Sequence, residues 1–213
     1  GNEGELIAHA LTIERRRGRQ HFPHTGPAAR TFIADHQHLA FLVLFALHRF
    51  EGVFLTIEAA CRSPEFEVVH AGHFDDGSFY RVVRLDNDNG DPKIEVIQGG
   101  ASLSGRGAFP PIPHESTEET GLLHTDGTIS MARGDINTAT SEFFICVGDQ
   151  PGLDYGAARN TDLQGFAVFG QVISGMDVVR SINRIRDTMS GDTGYTGGQM
   201  LNEPVQILEA VRW

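Results

Sequence analysis

From Ala40 onward the chain breaks into short runs rich in β-branched and aromatic residues, separated by stretches rich in Gly, Asp and Asn. Apolar runs of this length, bounded by turn residues, predict strands rather than helices. Residues 40–47 and 53–59 flank His48-Arg49-Phe50-Glu51-Gly52, a hairpin signal in which Gly52 closes the turn. The first of these runs is almost wholly apolar, so both of its faces are expected to be covered. Further strands are predicted at 79–83, 93–98, 128–132, 142–147, 166–172 and 204–213. In 93–98 the alternation sets Ile94, Val96 and Gln98 on one face and Lys93, Glu95 and Ile97 on the other.

Two helices complete the pattern. Ser63-Pro64-Glu65 supplies an N-cap, a proline at the first helical position and an acid at the positive end, and Gly72 stops the helix. After Gly175, Val178, Val179, Ile182 and Ile185 share one helical face. Ser174 is the expected N-cap there, and Arg184 and Arg186 suit the negative end. Residues 86–91, 101–107, 148–165 and 187–202 read as loops, and 115–120 as an acidic, exposed stretch. Eight strands joined mostly directly, with two helices, fit a mainly β fold built on a closed antiparallel barrel, since closure removes edges. Residues 1–38 have poor periodicity and read as an N-terminal extension to a domain at 39–213.

Composition narrows the function classes. The chain has 213 residues and a formal net charge of -11, which argues against a nucleic-acid-binding surface. The longest apolar run, 39–47, is about half of what a bilayer requires, so no membrane span is expected. Cys61 and Cys146 form no disulfide framework, and Cys146, after Phe143-Phe144-Ile145, reads as a buried small hydrophobe. A metal cluster from His21, His24, His36 and His38 would lack acidic or cysteine ligands at fixed spacing. The segment from Asp86 to Asp91 is dense in oxygen ligands but does not meet the EF-hand pattern. No metal or cofactor is expected, and no phosphate loop or nucleophile elbow is present. The sequence leaves open whether this soluble chain is cytoplasmic or periplasmic.

Three motifs carry the strongest signal: Phe79-Tyr80-Arg81-Val82-Val83, Ile97-Gln98-Gly99-Gly100, and the segment from Ser130 to Cys146. In this order they resemble the cyclophilin family of peptidyl-prolyl isomerases, and the Leu163-Gln164-Gly165-Phe166 run resembles its bacterial branch. The resemblance implies a closed eight-stranded antiparallel β-barrel capped by two α-helices. It implies an enzyme that speeds rotation about X-Pro bonds and assists protein folding. The expected partners are proline-containing peptides or unfolded proteins, and the expected state is a monomer. On this resemblance Arg81 is the catalytic residue. Gln98 bonds the substrate backbone or orients Arg81, and Phe144 seats the proline ring, while Phe143 lies in the core. Ala132 and the Arg133 backbone pair with the extended peptide. Leu153 forms an apolar lip, and Val96 and Phe166 complete the groove.

The chain also departs from the family pattern. Gly152 stands where the family has a groove tryptophan, Phe166 where it has a histidine, Glu142 where it has a glutamine, and Glu95 where many members have an aromatic. Tight cyclosporin binding is therefore not expected. A peptide-binding module or holdase without turnover is the alternative reading.

The chemistry fits an arginine. Amide resonance sets a barrier of about 18–20 kcal/mol to rotation. The prolyl nitrogen lone pair becomes available only as the amide twists, so a donor aimed at it binds the transition state better than the ground state. A guanidinium stays charged and offers a rigid fork of donors.

Overall fold

The computed structural model describes residues 40–47, 54–60, 74–75, 77–101, 109–189, 191 and 194–212, with backbone alone for the first two strands and for 209, 211 and 212. The expected extension at 1–38, the turn at Gly52, the helix opening at Ser63, Cys61 and Trp213 lie outside these residues.

The described residues are mainly β. The strands are β1 (Ala40–Leu47), β2 (Phe54–Ala60), β3 (Ser78–Val83), β4 (Val96–Gly100), β5 (Thr128–Met131), β6 (Glu142–Cys146), β7 (Val168–Ser174) and β8 (Met200–Arg212). Among the described residues two α-helices accompany them, α1 (Thr117–Thr120) and α2 (Met176–Asn183), with a 3-10 turn at Pro151–Leu153. All pairings are antiparallel and run in the order β1-β2-β7-β5-β6-β4-β3-β8, with β1 also paired to β8. For the candidate site, the neighbours that matter are β3, β4 and β6.

Alternation along these three strands sorts their side chains onto two faces. Phe79 and Val82 of β3, Ile97 of β4, and Phe143 and Ile145 of β6 share one buried cluster with Val178, Val179 and Ile182 of α2. Phe143 meets Phe74 and Phe79 edge-on, each at 5.7 Å between ring centroids. On the opposite face Val83, Val96, Phe144 and Cys146 form a second buried cluster with Ile94 and Leu153. An antiparallel sheet ordinarily leaves one face to water. Here both faces are apolar, which is why Phe143-Phe144-Ile145-Cys146 shows no polar alternation.

Strand β3 carries a bulge. Phe79 pairs with Gly99 and Arg81 with Gln98, so Tyr80 is an extra residue on its strand. Phe79 and Val82 stay on the core face, while the two half-buried residues between them, Tyr80 and Arg81, escape it. The bulge explains how a charge sits in mid-strand. Opposite it, a Cβ on Gly99 would lie 2.6 Å from the Ser78 carbonyl oxygen and 2.8 Å from Phe79 Cδ1, so only glycine fits.

Several boundaries differ from expectation for local reasons. The 115–120 stretch contains a one-turn helix rather than an exposed loop. Ser116 caps it with a capping box completed by Glu119, and Ser116 and Thr117 are buried. Strand β4 begins at Val96, because the Ile94 amide is taken by Asp88 and the Glu95 amide by Gln150. The N-cap of α2 is Gly175, in the left-handed region at φ 92°, and not Ser174, which ends β7. At the other end, Arg84 Nη1 donates to the carbonyls of Asn183 (3.4 Å) and Ile185 (2.9 Å), while Arg186 pairs with Asp86. The last strand starts at Met200, not Pro204, which brings part of the expected 187–202 loop against β3.

Candidate active site

Arg81, Gln98 and Phe144 lie side by side on β3, β4 and β6. Arg81 is opposite Gln98, and Gln98 is opposite Phe144. Two strand spacings separate the outer pair, roughly 10 Å.

The guanidinium of Arg81 is fixed from two sides. Nη1 donates to Gln98 Oε1 at 2.8 Å. Nε and Nη2 both donate to Gln199 Oε1, at 2.9 and 2.6 Å. These bonds engage three of the five guanidinium N–H groups and leave two for a bound molecule. The Tyr195 ring lies 5.5 Å from Arg81 Cζ and equally far from Arg159 Cζ. Burial pulls the Arg81 pKa down from its ordinary value and Arg159 adds to this, while Tyr195, Tyr80 and Asp88 oppose it. Gln98 Nε2 donates to Tyr80 Oη at 3.1 Å, and Tyr80 in turn donates to Glu142. Glu142, which stands at a departure from the family pattern, thus buttresses Gln98 through Tyr80.

Next to this polar group sits the apolar one. Val96 (3% exposed), Phe144 (5%) and Leu153 (0%) belong to the second cluster, with Ala132 and half-buried Phe166 packed against it. Phe166 meets Phe144 edge-on at 5.2 Å. Arg133 lies over Phe166, 5.3 Å from its ring centroid. Its side chain is committed to the Gly165 carbonyl and to Asp162, whose carboxyl the ion pair lowers to about 2. The structure therefore brings Val96, Ala132, Phe144, Leu153 and Phe166 into one cluster. Gln98 connects it to Arg81, and Arg133 closes its rim.

His124 lies beneath the cluster. Its ring stacks on Phe144 at 6.0 Å and 16°. Nδ1 is 2.7 Å from Asp154 Oδ1 and Nε2 is 3.0 Å from Ser130 Oγ. The arrangement has the connectivity of a Ser-His-Asp relay, but Ser130 is fully buried and also bonds the Ala167 carbonyl at 2.8 Å, so no substrate reaches its hydroxyl. Burial lowers the His124 pKa despite the raising effect of Asp154, and the ring serves as a polar-edged floor for Phe144. Cys146, fully buried in the same cluster, has its thiol pKa pushed up by burial.

The segment 86–92 packs beside the site. Asp88 is buried and accepts from Arg159 Nη1 and Nη2 at 2.7 and 2.8 Å and from the amides of Gly90 and Ile94. Every carboxylate oxygen of Asp88 is thus engaged by protein donors, which corrects the oxygen-rich appearance of this loop. Burial alone would raise its carboxyl, but these donors outweigh it and hold the pKa below the ordinary value. Replacing Asp88 by Ala leaves a buried guanidinium unpaired and is expected to cost about 3–5 kcal/mol in urea denaturation. Because the folded pKa is depressed, the stabilisation is complete above the unfolded value of about 3.9 and fades as pH falls through the lower, folded one. Pro92 of this segment also explains Gly152: a Cβ there would lie 2.6 Å from Pro92 Cγ. Gly152→Trp is expected to destabilise by about 1–3 kcal/mol, read as a lowered Tm, rather than to create a groove wall.

Gln199, Tyr195 and His124 carry no signal in the sequence that marks them for the site. Gln199 follows Gly197-Gly198 in a stretch that reads as loop, and no period marks it for full burial.

Comparison with known proteins adds a family. Residues 65–211 match the model of the cyclophilin type peptidyl-prolyl cis-trans isomerase/CLD family. The peptidyl-prolyl cis-trans isomerase A of Dickeya dadantii is 36% identical over 123 residues, 56% of this chain and 57% of that one. A peptidyl-prolyl cis-trans isomerase of Acinetobacter baylyi is 36% identical over 139 residues, 63% of this chain and 66% of that one. For a Streptomyces antibioticus relative the values are 33% over 150 residues, 68% and 79%. The match therefore spans less than two thirds of the first two relatives' length. A Cryptosporidium parvum cyclophilin type peptidyl-prolyl cis-trans isomerase, crystallised in the presence of the dipeptide Ala-Pro, superposes with a TM-score of 0.56. It covers 80% of this chain and 97% of that one at 18% identity, a likeness of fold.

Proposed function

Because this chain belongs to the cyclophilin type peptidyl-prolyl cis-trans isomerase family, we propose that it accelerates cis-trans rotation about X-Pro bonds in peptides and unfolded proteins. One observation carries the reading: a guanidinium held by two glutamines lies in strand register with an apolar cluster built on Phe144. The crystallisation of the fold neighbour with Ala-Pro supports a proline-sized guest.

In this reading the proline ring rests against Phe144, with Val96, Leu153 and Phe166 around it. The peptide backbone runs along Ala132 and Arg133 and reaches Gln98. The free guanidinium donors of Arg81 meet the prolyl nitrogen as its amide twists. No covalent bond forms or breaks. Each ~1.4 kcal/mol removed from the rotational barrier gains a factor of ten. The strand pairings support a closed eight-stranded barrel; in this reading two helices cap it, residues 39–213 are the isomerase domain and 1–38 an extension. Among the described residues no helix is long and apolar enough to cross a membrane.

A holdase with the same groove would bind proline peptides without turning them over. Exchange spectroscopy on a short X-Pro peptide separates the two. Isomerase activity gives cross-peaks between cis and trans proline signals at substoichiometric protein. Saturable binding without such exchange defeats the isomerase reading.

A further inference from the structure

Gln199 is fully buried, although it lies at the end of a glycine-rich segment. Its side-chain oxygen accepts two of the three protein bonds that fix Arg81, and its Nε2 donates to the Asn87 carbonyl at 2.9 Å. Its backbone is fixed as well, since the Val82 amide donates to the Gln199 carbonyl at 2.9 Å. The segment 86–89 supplies the rest of the anchorage. Asn87 Nδ2 donates to the Gly198 carbonyl (3.0 Å) and to Val82 (3.2 Å). Asn89 Nδ2 donates to the carbonyls of Tyr195 (3.2 Å) and Gly197 (3.0 Å). The segment is itself tied down by the Asp88–Arg159 ion pair.

We propose that Gln199 is a positioning residue for Arg81, and that the 86–92 loop acts on the site by holding it. Gln98 alone bonds one guanidinium nitrogen and leaves the plane free to turn about that contact. Gln199 binds the Nε edge, and two bonds at one edge with one on the far nitrogen set both the plane and the tilt of the guanidinium. The remaining donors then face one direction before any peptide arrives, which is the condition under which a donor stabilises a transition state without reorganising. The Tyr195 ring packs against the guanidinium, 5.5 Å from Arg81 Cζ, so the 195–199 segment contacts it through both Gln199 and Tyr195. The loop at 86–91 thereby bears on the orientation of a side chain on β3.

The inference rests on the isomerase reading for its kinetic arm, and a second arm is independent of it. For the kinetic arm, Gln199→Met keeps length and volume but removes the acceptor. Its kcat is expected to fall about ten- to a hundredfold with KM changed less than about threefold, since a guanidinium no longer held in orientation loses transition-state contacts more than ground-state ones. Gln199→Glu keeps an acceptor at Arg81 and is expected to recover most of that loss. A KM rise matching the fall in kcat, or equal damage in both variants, overturns the proposal. For the second arm, the Nε–H resonance of Arg81 in the wild-type protein is expected to exchange with water at least about tenfold more slowly than that of exposed Arg184, whether or not the protein turns over a peptide. Exchange as fast as at Arg184 overturns the proposal even where Gln199→Met fails to fold. A wild type without turnover but with a protected Arg81 would defeat the isomerase reading and leave the positioning inference standing.

Discussion

Arg81→Ala lowers kcat/KM for X-Pro isomerisation by about a hundred- to a thousandfold, the range found when a preorganised donor is taken from a developing charge. Most of the loss is expected in kcat. The donors that meet the twisted nitrogen have little to bind in the planar ground state, so removing them leaves peptide affinity nearly intact. Arg81→Lys is not expected to restore the rate. A lysine ammonium carries the charge, but it cannot bond Gln98 and Gln199 at opposite edges while presenting further donors outward. A protease-free peptide isomerisation assay on wild type, Arg81→Ala and Arg81→Lys measures this directly. Full activity in Arg81→Ala would remove the guanidinium from the mechanism.

Phe144→Ala acts on the other half of the site and splits differently. Phe144 is 5% exposed, stacks on His124 and meets Phe166 edge-on. Truncation removes the surface against which a proline ring would rest, and the expected result is a rise in KM of about tenfold or more. It also opens a cavity above His124, with an expected loss of about 3–5 kcal/mol by urea denaturation. Set against a total of about 5–15 kcal/mol, that leaves a folded but fragile protein. Phe144→Leu refills much of the space and is expected to regain more stability than affinity. Peptide titration beside denaturation curves distinguishes these two losses. Unchanged affinity in Phe144→Ala would place the proline-binding surface elsewhere.

Local composition made most of the strands legible. Strands β1 to β7 fall within a few residues of the runs that announced them, because β-branched and aromatic runs between turn residues leave few other options. The resemblance through Phe79 to Val83 and Ile97 to Gly100 singled out Arg81 and Gln98, which the strand register then sets opposite one another. What stayed hidden was settled by distant partners. The glutamine that completes the hold on Arg81 is 118 residues away in sequence, and nothing in Gly197-Gly198-Gln199 marks it. Asp88 reads in the sequence as one of several oxygen ligands in a polar loop, and its occupant is Arg159, 71 residues on. The one-turn α1 was hidden for a different reason: its acidic run suggests exposure, and only the Ser116–Glu119 box reveals a helix start. Gly152 reads as a lost tryptophan in the sequence and as a lack of space in the structure, where Pro92 fills the position.

The extra residue in β3 turns the groove into a matter of counting. Along a pleated strand, odd and even positions go to opposite sides, and Tyr80 shifts that count by one between Phe79 and Arg81. If β3 kept Tyr80 but lost the bulge, Phe79 and Arg81 would share one side, and an ionised guanidinium would be driven toward Ile97 and Phe143, where no water can follow it. Individual groove side chains can therefore drift to suit new peptides, but the bulge, which lets Arg81 lie two residues from Phe79 and still face away from it, cannot be ironed out.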